Sequence, residues 1–166
     1  MKTENQTNQK TENTGNRITV PKISTSRFRN MSLPELRKFV NNYYKDNYLG
    51  KCVQNEHKGI IIHFTGKGKR KTAFGEAMYS NKAASILILD KLIRYGKFNN
   101  WGKRKKDDSK DLLGYYNFKC FAVIDEKKEC IRLAVQVYRN GNICFNPYYN
   151  LEVNKKREKA GVPTGR

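Results

Sequence analysis

Histidine and acid are scarce in this chain. It has two histidines, and 15 acidic residues stand against 34 basic ones, for a net charge of +19. It has no apolar run near the ~20 residues that a membrane-crossing helix needs. The stretch Met1 to Asn16 is polar, so no secretory leader is read there. These absences point to a cytoplasmic protein without a membrane partner. Apolar residues make up 37% of the chain, low for a wholly folded one, so part of it is expected to stay unpacked.

The four cysteines, Cys52, Cys120, Cys130 and Cys144, include no C-x-x-C pair, and each lies in or beside an apolar stretch. A zinc site drawn from distant strands would lack the usual paired spacing. Reduced thiols in strands are the expectation, with no metal and no cofactor.

What is present is positive charge. A strongly basic chain attracts polyanions, and each neutralised phosphate releases counterions. Nucleic acid is the first partner to expect.

Residues 1–29 are rich in Asn, Thr, Gln and Lys and read as a flexible tail, though "ITVPKI" can dock as a short extended segment. Ser32, Pro34 and Glu35 mark a helix start, with Leu36, Phe39, Val40 and Tyr43 at helical spacing. "KCVQN" and "GIIIHF" predict a hairpin. Thr65 to Phe74 is expected to be a glycine-rich basic loop. "NKAASILILDKLIRYG" is apolar on more than one stripe and predicts a single buried helix. Lys97 to Asp111 is read as a polar connection. Three strands follow, "YYNFKCFAVID", "CIRLAVQVYRN" and "NICFNPYYNLEV", as an antiparallel meander. In the middle strand Ile131, Leu133, Val135 and Val137 alternate with Arg132, Ala134, Gln136 and Tyr138, one face for the core and one for a ligand.

The expected fold class is therefore α+β. A small antiparallel sheet, hairpin plus meander, packs on one buried helix, with a helix before it. Residues 30–153 form the domain, and 154–166 form a basic tail.

"LGKCVQNEHKGIIIHFTGKGKRK", "AASILILDKLIRYG", "YYNFKCFAVID" and "IRLAVQVYRNGNICFNPYYNLEV" together span about Leu49 to Val153. This arrangement resembles the barnase–EndoU–colicin–RelE nuclease-type domains of phage and mobile-element polyvalent proteins. The resemblance implies metal-independent cleavage of RNA.

Such cleavage needs a base for the ribose 2′-OH, an acid for the leaving oxygen and cations for the phosphoryl charge. His63 ends a strand beside the basic loop and is the candidate base or acid. Glu76 is the one carboxylate near that loop. His57 falls in the predicted hairpin turn, which argues against a role. Arg132 is a candidate phosphate clamp, and Tyr149, with Tyr148, is a candidate for stacking or proton donation. Lys67, Lys69, Arg70 and Lys71 supply phosphate contacts, and Gly66 and Gly68 are read as letting the backbone approach a phosphate. The spacing does not fit a Walker loop. Lys103, Arg104, Lys105 and Lys106 form a second basic patch beside Trp101, which reads as a core anchor or a stacking residue. Tyr115 and Tyr116 offer the same choice.

Two readings compete. One is a ribonuclease using His63, Arg132 and Tyr149. The other is a non-catalytic basic inhibitor of host defence, like an anti-CRISPR protein, that binds RNA or a host-defence ribonucleoprotein. A structural RNA-binding protein is a weaker third.

Overall fold

The fold is known from a computed structural model, which describes residues 20–75 and 78–145 together with the short strand at 152–153. The first helix, α1 (Leu33–Asn47), begins where the sequence signals it. Ser32 accepts from the Glu35 N–H, and the Ser32 N–H donates to Glu35 Oε2 at 2.6 Å, a complete capping box. Leu36, Val40 and Tyr44 recur every four residues and are buried on one stripe.

The hairpin forms as expected. β2 (Cys52–Asn55) pairs antiparallel with β3 (Ile60–Phe64), Val53 opposite Ile62. Residues Thr65 to Phe74, by contrast, are not a loop. They form a second helix, α2 (Gly66–Phe74), capped by the Thr65 hydroxyl, which accepts from the Gly68 N–H at 3.1 Å. Lys, Arg and Ala are good helix formers, and two glycines did not prevent it. Gly68 is needed for packing: a Cβ there would collide with the Phe145 carbonyl and fall 2.8 Å from the Tyr44 hydroxyl.

The single buried helix expected next is broken. α3 (Ser80–Ser85) gives way to a 3-10 turn at Ile86–Ile88 and then to α4 (Leu89–Tyr95). The Tyr48 hydroxyl donates to the Ile86 carbonyl at 2.5 Å inside that turn. The last carbonyls of α4 are satisfied by Asn55, whose amide donates to Ile93 O at 2.7 Å and to Gly96 O at 2.9 Å.

The polar connection contains β4 (Lys97–Lys103), which pairs antiparallel with β5 (Leu112–Ile124). β5 pairs in turn with β6 (Lys127–Tyr138) through a tight turn at Asp125 and Glu126, both at positive φ. β7 (Ile143–Phe145) lies antiparallel to β6. The remaining strand predicted over 142–153 is described only at β8 (Glu152–Val153), which pairs with β6.

The sheet is mixed rather than antiparallel and has eight strands among the described residues. β3 runs parallel to β7, His63 opposite Cys144, which fuses the hairpin to the meander. β1 (Lys22–Ile23) runs parallel to β5, so part of the expected tail is packed; Phe28 just after it is buried. Alternation fails to reveal parallel pairing because both edges of a strand look alike in sequence.

One face of the sheet carries Ile62, Phe64, Phe118, Cys120, Ile131, Leu133, Val135 and Phe145 into a common core with α1, α3 and α4. The sheet curls round α4, so that the β2–β3 turn reaches the opposite edge: the Phe98 N–H donates to His57 Nδ1 at 3.0 Å. No helix among the described residues is long and apolar enough to cross a membrane.

Candidate functional site

The other face of the sheet points away from that core. Strand register places Cys52, His63, Cys144, Gln136, Tyr115 and Gly102 in one row across it. Leu112, Tyr115, Ala134 and Tyr138 form a small separate apolar cluster at one end. Leu112 and Tyr138 of that cluster, with Gln136, line a cleft of about 440 Å³.

Two elements wall the cleft. Lys67 and Lys71 lie four residues apart on α2 and therefore on one helix face. Lys105, Asp107, Asp108 and Ser109 come from the β4–β5 loop. That loop is held by an aspartate turn: the Lys105 N–H donates to Asp108 Oδ2 at 2.6 Å, and Arg104 donates to the Ser109 carbonyl at 3.1 Å. The Tyr115 hydroxyl donates to Asp108 Oδ2 at 2.8 Å, and the Tyr138 hydroxyl donates to Gln136 Oε1 at 2.7 Å. Gln136 is buried.

The electrostatics are coupled. Burial opposes the Asp108 charge, but the bonds from Lys105 and Tyr115, with the Lys105 and Lys71 charges, outweigh it and hold the carboxyl below its usual range. Burial, then the bond to Asp108, pushes Tyr115 up to about 12, so its hydroxyl stays a donor at neutral pH. Lys71 is lowered by burial first and then by the positive Lys67. An anion in the cleft would reverse that second cause.

Of the predicted cations, Lys67, Lys71 and Lys105 therefore meet at one place. Lys69 and Arg70 do not line the cleft, and Lys103, Arg104 and Lys106 are exposed around its loop. His63 does project from the outer face, exposed, as the alternation of Ile60, Ile62 and Phe64 required. It stands two strand spacings, about 10 Å, from Gln136. Arg132 is exposed on the same face beside Lys119, four residues or about 13 Å along β6 from Gln136. Tyr148, Tyr149 and Glu76 lie outside the described residues. His57 serves the sheet closure instead. Gly68 approaches Phe145 rather than open space, whereas a Cβ on Gly66 would meet nothing. Cys144 is half-buried beside His63, and burial raises its thiol pKa, partly offset by Lys67. Sequence reasoning missed Asp108; its signal was "DDS", a turn-forming run inside an otherwise basic loop.

Fold and cleft together define a small basic α+β domain with one open sheet face. The family model described as large polyvalent protein-associated domain 3 matches residues 31–149, and the chain belongs to that family. It is thus a domain of phage and mobile-element polyvalent proteins. No curated protein and no solved structure matches it.

Proposed function

We propose that the protein binds nucleic acid, RNA ahead of DNA, along the open sheet face and in the α2 cleft. The observation that carries this reading is the convergence of Lys67, Lys71 and Lys105 from two separate elements on one cleft. Lys71, whose charge is opposed by burial and then by Lys67, gains from a phosphate beside it. The lateral row through Gln136 and Tyr115 supplies neutral hydrogen-bonding groups for bases or ribose beside those cations. The test is affinity for RNA and DNA oligomers across a salt series. Affinity should fall steeply as salt rises; affinity indifferent to salt would remove the phosphate contacts.

A sharper reading, metal-independent RNA cleavage, is favoured by the exposure of His63 and Arg132 on that same face. By strand spacing they are about 16 Å apart, so a strand lying along the face would meet them in succession. In this reading His63 is the base or acid at the scissile phosphate, Arg132, too distant to share it, clamps a neighbouring phosphate, and Tyr149 is a further partner. RNA incubated with the protein in EDTA, beside His63→Ala, decides it: cleavage that collapses in the variant supports the ribonuclease. Retained binding without cleavage supports an inhibitor that masks an RNA or a host-defence ribonucleoprotein.

A further inference from the structure

Trp101 is the chain's sole tryptophan, and it is 43% exposed. A core anchor would be covered, so its placement needs another explanation. It pairs with Tyr116 across β4 and β5, on the core side of the sheet. The Cβ that Gly114 lacks would collide with the indole and with the Gly102 carbonyl. The ring therefore occupies the space of a missing side chain and lies down on the sheet. Tyr116 holds it edge-on, with ring centroids 5.3 Å apart. A register shift between Phe98 and Asn100 re-aims β4, so Phe98 and Trp101 share one face although three residues apart.

Cations frame this aromatic ledge. Lys58 Nζ sits 4.1 Å from the Phe98 ring centroid and 4.6 Å from that of Tyr116. Lys103, opposite Gly114, ends β4 on the same face and is exposed. From there Lys103, Arg104, Lys105 and Lys106 run without interruption round the sheet edge to the cleft.

We infer that Trp101 is a stacking platform for an unpaired base of a single-stranded nucleic acid, with Lys58 and Lys103 meeting the flanking phosphates. The inference rests on the nucleic-acid reading above and adds the strandedness of the ligand. A flat, pinned, half-exposed ring between cations suits a base face, which stacks whatever its sequence. Bases in a duplex already stack on each other and offer no such face.

Because the tryptophan is unique, its fluorescence reports this site alone. A uridine oligomer and a duplex of equal length are titrated into the full chain, with anisotropy of the labelled nucleic acid read in parallel. The single strand should quench Trp101, and the duplex should bind without quenching. Trp101→Ala should weaken the single strand roughly tenfold and leave the duplex unchanged, while Trp101→Phe should keep most of the affinity. The quenching in the native protein does not depend on how the variants fold. Single-strand binding without quenching, and with equal affinity in Trp101→Ala, would overturn the platform and leave nucleic-acid binding standing. Failure of both ligands to bind would overturn both.

Discussion

Phe98 and His57 join the two edges of the sheet: the Phe98 backbone N–H donates to His57 Nδ1 at 3.0 Å, although one belongs to β4 and the other to the β2–β3 turn. The bond closes the sheet round α4. His57→Ala should cost about 1 kcal/mol in chemical denaturation. It should also speed hydrogen exchange at the Phe98 amide while leaving amides in the β5–β6 ladder protected. Unchanged exchange at Phe98 would show that the closure does not depend on this residue.

Gly66 and Gly68 open the same helix but should respond oppositely to alanine. At Gly68 the new Cβ meets the Phe145 carbonyl and the Tyr44 hydroxyl, and overpacking of this kind costs about 1–3 kcal/mol. At Gly66 it meets nothing within 4 Å. There alanine should be neutral or add up to about 1 kcal/mol through lower chain entropy. Thermal melts of the two variants compare them directly.

Asp125 ties the N-terminal segment to the β5–β6 turn. It accepts from the Thr25 hydroxyl, from the Thr25 N–H at 2.9 Å and from Arg29 at 3.1 Å. The Thr25 bonds first, and Arg29 after them, lower its pKa to about 2. A carboxyl depressed on folding stabilises the native state above its unfolded pKa, and that gain is lost as pH falls through the folded value. The loss should run from about pH 4 down to about pH 2. Asp125→Asn should be less stable by about 1–2 kcal/mol at pH 7, the exposed Arg29 contributing little. Its stability should also vary less across that acid window.

Lys67, Lys71 and Lys105 should act as one unit on binding. Changing all three to Ala should lower the salt slope for a single strand by about 2, at ~0.7 per lost phosphate contact. Changing Lys69, which does not line the cleft, should matter less. In the native protein the Lys71 side-chain nitrogen, followed by NMR, should titrate at higher pH once an oligonucleotide is bound. A Lys71 titration unmoved by ligand would place the phosphates elsewhere.

Local signals in the sequence carried well. The Ser32–Glu35 cap, the β2–β3 hairpin, the core face of β6 and the exposure of His63 could be read because each depends on a few neighbouring residues; the other face of β6 was read as open, yet Ala134 and Gln136 on it are buried. What escaped depends on partners far along the chain. Gly66 and Gly68 suggested a loop because the tight seat beside Phe145 that suits Gly68 is formed from residues nearly eighty positions away. β4 looked like a linker because its polar residues line an edge, where only Phe98 and Gly102 are partly covered. The cleft was half legible. Its lysines stood out as a charge run, but Asp108, Tyr115 and Gln136 are ordinary residues until the sheet sets them side by side.

The parallel seam between β3 and β7 also sets a schedule for synthesis. β3 is made early, yet its second neighbour is about eighty residues downstream. Until Phe145 leaves the ribosome, β3 has one unpaired edge and α2 lacks the carbonyl against which Gly68 packs. Such distant contacts are slow to form and keep strand edges open to wrong pairings meanwhile. A nascent chain halted at Asn140 should therefore remain sensitive to protease. Once Phe145 has emerged, resistance should appear all at once, since β7 completes the ladder that the first hairpin began.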